Sequence, residues 1–464
     1  MARLYRFVKL GDRFDTQIFT FVLPNKLLRE YSPEIYGKDF AYGFQKWNVS
    51  FSKSDVHLGA NLKLITASPG MNVNVDFSFT ILNKEHFTRN ESYSEKGCAF
   101  NVDKHTSGRQ TFIALGDLVN RNFMQENGEF LIELELRSCL STFQCYLKMA
   151  KDHQSRYSYG PRLESPYFSF GLFDWSVSLF PNASTMEADG NVAIQLHRHT
   201  SFDHLCSVRY EVTLGENGLF ESGELEQLLD LTGNGDPYIV GSSLNHLAGG
   251  RTAIKVVVSM FSVVSVSEAT LHVLNRNRNR AHCYDRDKQA WMIEADTSNK
   301  CLSFRLYYTD ISHVPRRYSR YVCWSLNVIP RSVSERPLKA VNSPYYKYYV
   351  QQDLDEGYEV QTDILVDELN DPDSRYLDPE DHKLTIHIEW MDSHLLVFPN
   401  YHSLDDVGRL HKHQMWREIL ALQAENYALE KQLYSYQQSI AKTNSKDRPE
   451  EETRDNYICK GRRY

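Results

Sequence analysis

Three times along this 464-residue chain, about 120 to 130 residues apart, one short phrase ends the same order of segments. The phrase reads Phe112-Ile113-Ala114-Leu115-Gly116-Asp117-Leu118, then Tyr238-Ile239-Val240-Gly241-Ser242-Ser243-Leu244, then Asp363-Ile364-Leu365-Val366-Asp367-Glu368-Leu369. A chain of this length holds about three domains at roughly 100 to 200 residues each, so each phrase marks one domain-sized copy. No catalytic set recurs with the phrase, which points to a binding scaffold.

Each copy opens on a Trp-led alternating segment: Trp47 to Phe51, Trp175 to Leu179 and Trp291 to Ala295. A second alternating stretch follows, at Leu58 to Ile65, Val192 to Leu196 and Leu302 to Tyr307. The third is rich in large residues, at Val75 to Leu82, Val208 to Leu214 and Tyr321 to Val328. After the phrase comes a closing stretch, at Phe130 to Leu136, Ile254 to Val258 and Leu384 to Trp390. Period two with β-branched and aromatic residues predicts half-buried antiparallel strands. With no helical segments to make parallel crossovers, the expected fold is mainly β: three tandem antiparallel β-sandwiches, each burying the inner faces of two sheets.

In the first copy, the order Trp47, Leu58 to Leu64, Phe77-Ser78-Phe79-Thr80-Ile81-Leu82-Asn83, Phe112 to Leu118 and the strand at 130 to 136 resembles the MATH domain, the TRAF-like sandwich. The match covers about residues 14 to 146, and the other two copies are weaker versions of it. What the resemblance implies is binding of short peptide segments of partner proteins along one sheet edge. The aromatic floor of the family's groove is matched only by Phe77; its other aromatics fall on Asn61, Cys98 and Ser107, and the usual Trp-Gly-Phe reads Ser107-Gly108-Arg109. Protein binding is implied as a class, without the known groove.

From Lys412 to Ile440 a heptad register puts Lys412, Ile419, Asn426, Leu433 and Ile440 at a, with Met415, Leu422, Leu429 and Tyr436 at d. Four heptads predict a coiled coil whose seam runs about 43 Å. Ser403 followed by Asp406 is a candidate capping box for its start. Asn426 at a favours a parallel dimer, because paired asparagines fix that register. Glu425 at g would then face Glu430 at e of the partner, a like-charge pair that a heteromeric partner with Lys or Arg would relieve. The expected oligomerisation residues are Met415, Ile419, Leu422, Asn426, Leu429, Leu433, Tyr436 and Ile440.

The expected organisation is a first sandwich over 1–146, a linker over 147–159, a second sandwich over 160–274, and a basic linker over 275–280. A third sandwich with an enlarged Tyr-rich loop over 281–402, a coiled-coil helix over 403–440 and a disordered tail over 441–464 complete it. Phe77 and the loop tyrosines Tyr345, Tyr346, Tyr348 and Tyr349 are the candidate partner-binding residues.

A net charge of −8 argues against a general nucleic-acid binder. The Arg-Asn run from Asn275 to Arg280, with the Tyr-rich loop, supports an alternative reading as an RNA-associated protein. The longest apolar run, Val256 to Val266, is short of the roughly 20 residues that span a bilayer, so no membrane span is expected. No leader pattern opens the sequence, and the expectation is a cytoplasmic protein. The eight cysteines are dispersed without zinc-ligand spacing. His197-Arg198-His199 lacks a third ligand at metal spacing, and no nucleophile-elbow, kinase or phosphate-cradle signature is present. The chain is expected to be a non-enzymatic adaptor with no cofactor, no metal and no catalytic residue.

Overall fold

A computed structural model describes the chain except for residues 12–14, 30–33, 86, 150–161, 182–190, 201–202, 217, 274–278, 333, 372, 379, 399–403 and 447–464. It divides into two compact units, 1–401 and 402–464.

The first unit is mainly β, and every ladder among the described strands is antiparallel. The Trp-led and second alternating segments of each repeat form small separate sheets. The first holds Gln45–Lys53, His57–Leu64 and Thr106–Ala114; the second holds Phe173–Phe180, Val192–Arg198 and Tyr238–Val240; the third holds Ala290–Asp296, Cys301–Tyr308 and Tyr358–Leu365. The strands richer in large residues belong to one twelve-stranded sheet that runs through all three repeats.

What joins the repeats is the length of the closing strands. These extend over Phe130–Lys148, Ala253–His272 and Lys383–Val397. The first half of the first of them, Phe130 to Leu136, lies between Gln17–Leu23 and Met71–Ile81 in its own repeat. Its second half, Ser141 to Lys148, pairs with Ala253 to Met260 of the next repeat. The same step recurs when Ser265 to His272 pairs with Lys383 to Trp390. The place that Gln17–Leu23 fills for the first repeat is thus filled for the second and third by the tail of the preceding closing strand. The tail of the last one, 391 to 397, packs beside Arg3–Lys9, where Lys9 Nζ meets Asp392 at 3.1 Å and Phe7 meets His394 at 4.3 Å between ring centroids. The repeats therefore close on one another in a cycle. The boundary expected at 146 falls inside a continuous strand.

The small sheets pack on the large one through fully buried tryptophans. Trp47 meets Phe100 edge-on at 5.0 Å, and Trp291 meets Trp390 at 5.1 Å and Trp324 at 6.4 Å. Burying a side chain of this size contributes about 2 to 3 kcal/mol each. The repeated phrase turns out to be the end of a strand followed by a short helix: Leu115–Asn120, Leu244–Ala248 and Val366–Leu369. Its last leucine, Leu118, Leu244 or Leu369, is buried in every copy. In the second copy the pleat is offset by one, so that Val240 is buried and Ile239 faces out.

The expected Tyr-rich loop is a strand, Tyr345–Tyr349, hydrogen-bonded to Tyr318–Ile329 as an edge of the large sheet. Alternation decides this: Tyr345 and Tyr349 enter the core beside Trp324, while Tyr346 and Tyr348 face out.

The second unit contains one helix, Leu404–Lys446, which runs past the expected end at 440; Ser403, its expected cap, lies outside the described residues. The tail from 447 on lies outside them too.

Candidate functional site

Each Trp-led strand is preceded by a short hairpin, and the first two share a pattern: Phe40-Ala41-Tyr42-Gly43-Phe44-Gln45-Lys46-Trp47 and Phe168-Ser169-Phe170-Gly171-Leu172-Phe173-Asp174-Trp175. Gly43 and Phe44, and likewise Gly171 and Leu172, all have positive φ, which makes both turns type I′. The tryptophan locks each hairpin, because its indole N–H donates to the carbonyl of the residue five before it, at 2.9 Å to Tyr42 and 2.8 Å to Phe170. The third hairpin is one residue longer, with Arg286-Asp287-Lys288 at the tip and positive φ at Lys288. There the Trp291 indole donates to the Asp285 carboxylate instead, at 3.0 Å.

These hairpins sit at the junctions of the cycle. Between the first and second repeats, Phe143 stacks on Phe168 at 4.2 Å, and Phe44 packs on Phe170 at 5.4 Å while its carbonyl accepts from Gly171 N at 2.7 Å. Between the second and third, His204 Nε2 lies 2.8 Å from the Tyr284 carbonyl, and Trp390 Nε1 donates to Ser267 Oγ at 2.8 Å. Between the third and first, the charged tip leaves a cleft of ≈ 340 Å³ lined by residues of all three repeats, among them Arg3, Lys38, Lys46, Leu172, Arg286 and His394.

A charge network stands beside this cleft. Arg320 bridges the buried Asp285 at 3.1 Å and Asp287 at 2.7 Å, and its guanidinium lies over the Tyr308 ring. Burial raises the Asp285 carboxyl above its ordinary range even with Arg320 opposing it. His394 is enclosed by Phe7, Phe19 and Tyr321, its Nε2 has no hydrogen-bond partner, and burial lowers its pKa to about 4.

Of the residues singled out from sequence, Phe77 is 2% exposed and packs on Phe79, Tyr93 and Phe100 between the sheets. Tyr345 and Tyr349 are core residues. Tyr346 and Tyr348 are exposed and flank Tyr321, at 6.0 and 5.2 Å, on the outer face of an edge strand. On the helix, Ile419, Leu422, Leu429, Leu433, Tyr436 and Ile440 are 48% to 66% exposed, and Asn426 is exposed with them. The side chain of Met415 is outside those described, as are residues 275–278 of the Arg-Asn run. The two groups of candidates belong to different units.

Among the described residues no group of three His, Cys, Asp or Glu side chains could hold a metal ion. His197 is hydrogen-bonded to Asn234 and His199 to Ser176, both at 2.8 Å. The seven described cysteines are free thiols, and burial pushes those of Cys139, Cys145, Cys206 and Cys283 up to about 12. No described helix is long and apolar enough to cross a membrane. Comparison with known proteins finds no family model that matches the chain and no curated protein that matches it significantly.

The cleft was not anticipated from the sequence. Its signal was present in the Phe-x-Tyr/Phe-Gly spacing before the first two tryptophans and its replacement by charged residues before the third.

Proposed function

We propose that this protein is a non-enzymatic cytoplasmic adaptor, built from three MATH/TRAF-like β-sandwich repeats, that binds partner proteins and self-associates through a C-terminal coiled coil. The observation that carries the reading is the helix: its a and d side chains, from Ile419 to Ile440, are about half exposed or more, as are Leu420, Tyr427 and Tyr434 beside them. A helix gains little stability alone, and an apolar stripe this long is stabilised by burial against another helix. Asn426 favours a parallel pair, and the Glu425–Glu430 repulsion is the feature a heteromeric partner would relieve.

Tyr346 and Tyr348 supply a partner-facing surface, since an exposed aromatic edge strand offers both unpaired backbone groups and contact area to an extended peptide. Self-association would multiply weak contacts of this kind. Free buried thiols agree with a reducing compartment.

Size-exclusion chromatography with light scattering tests the reading. The full chain is expected to run as a dimer at micromolar concentration, and Leu422→Pro with Leu429→Pro as a monomer. A monomeric wild-type chain would overturn self-association. Partners captured by pulldown should survive nuclease treatment; their loss would favour the RNA-associated alternative.

A further inference from the structure

We propose that the cleft where the third repeat closes on the first binds a small organic anion, a carboxylate carried on an apolar body. The inference goes beyond the adaptor reading and stands whether or not the chain self-associates.

The repeats differ at their junctions. At the first junction the equivalent space is filled by Phe143 on Phe168 and by Phe44 on Phe170, and a Cβ at Gly171 would come within 1.9 Å of Val263. At the closing junction the aromatic tip is replaced by Arg286-Asp287-Lys288, and ≈ 340 Å³ stays open. Protein interiors close-pack, and a space of this size falls within the range of small-molecule sites, about 300 to 1,000 Å³.

The walls of the cleft carry an uneven balance of charge. Both lining carboxylates are already satisfied: Asp39 by Lys46 at 3.0 Å and by the Asn48 amide at 2.6 Å, Asp287 by Arg320 at 2.7 Å. Arg3 is held by Glu129 at 2.5 Å. Lys38 and Arg286 have no ion-pair partner among the described residues. A chain of net charge −8 thus presents two uncommitted cations in one concavity. Ammonium and guanidinium groups with no carboxylate of their own are suited to take one from a ligand.

One wall of the cleft is apolar. Leu172 stands at the tip of a type I′ turn with φ of 67°, a conformation that a branched side chain seldom adopts, and remains 42% exposed. Its counterpart Phe44 has the same backbone but packs on Phe170. Leu172 faces the cleft with Leu4, Phe40 and Leu395. An apolar body placed there would bury this surface while its carboxylate met Lys38 and Arg286. This wall is what selects an amphipathic carboxylate over inorganic phosphate.

Isothermal titration of the full-length chain with 4-phenylbutyrate tests the site. Saturable one-to-one binding is expected, weakened at least tenfold by Lys38→Ala with Arg286→Ala and by replacing the ligand with neutral 4-phenylbutyramide. Leu172→Trp, which fills the cleft from an exposed turn tip, should abolish binding while leaving the circular dichroism spectrum unchanged. Absence of saturable binding, equal affinity for the amide, or full binding by both variants would overturn the proposal. Inorganic phosphate competing as well as the phenyl carboxylate would overturn the apolar part of it.

Discussion

Where the first repeat passes into the second, Phe143 lies flat on Phe168 and Gly171 leaves no room for a side chain against Val263. Where the third returns to the first, the chain uses the same arrangement of long strand and hairpin, yet places Arg286 and Asp287 at the tip and seals only the inner part, around His394, Phe7 and Tyr321. The cycle thus has one junction committed to packing and one only partly so. In a repeat structure the copies serve as controls for one another. A place where one copy buries aromatics and another exposes charge has exchanged stability for something else.

The largest effect should come from the packed junction. Phe143→Ala removes a fully buried ring from a stack that joins two repeats, and core truncations of this kind cost about 3 to 5 kcal/mol. Chemical denaturation should show that loss in a single transition, because the twelve-stranded sheet couples the repeats. Two separated transitions, with only one displaced, would mean that the repeats fold independently.

The closing junction should respond to acid where the packed one does not. His394 is buried among aromatic rings and faces Asp392, Lys9, Arg286 and Asp287; its pKa falls from 6.5 to about 4, chiefly through burial. Between those values the unfolded chain binds a proton that the folded chain refuses. The contribution is therefore fully present above about pH 6.5 and lost as pH falls toward 4, by up to roughly 3 kcal/mol. His394→Phe should flatten that part of the stability profile relative to the wild-type chain. An unchanged slope between pH 6.5 and 4 would remove His394 from the account.

Gly171→Ala should cost less, about 1 to 3 kcal/mol, from the left-handed backbone at φ of 65° and the overlap with Val263. Thermal melts of Gly171→Ala and Gly97→Ala separate the two causes. Gly97 has φ of 57° but nothing within 4 Å of a Cβ, so it pays only for the backbone. Equal losses at both positions would mean that the Gly171 contact yields without cost.

Much of the sheet was legible because period two survives wherever one face is buried and the other wet. Trp47, Trp175 and Trp291 marked homologous strands, and each segment predicted around them falls in or against an observed strand. The closing strands were cut short for a physical reason. After Leu136 the ladder shifts register between Arg137 and Leu140, with Ser138 at φ of 52°, and a bulge reverses the alternation on which a strand is recognised. What lies past the bulge, Ser141 to Lys148, is the part that joins the repeats. The cleft was illegible for another reason: Arg3, Lys38, Leu172, Arg286 and His394 come from five distant segments, and only the closed cycle brings them together. At Tyr345–Tyr349 alternation could have separated the buried tyrosines from the exposed pair, but an aromatic run reads the same on both faces.

The smallest effect is expected at the cleft itself. Arg286 stands at a hairpin tip, partly exposed, with no ion-pair partner among the described residues, so Arg286→Ala should change stability by no more than about 0.5 kcal/mol. If the tip were a structural element like Phe44 or Phe143, the loss would instead reach the range of a packing residue, and a denaturation midpoint would show it. A neutral substitution leaves the two junctions unlike in kind: one retained for packing, the other carrying a charge that the fold does not need. A residue that stability does not require, set at a hairpin tip where the first copy places an aromatic, is where a ligand has the most to contribute.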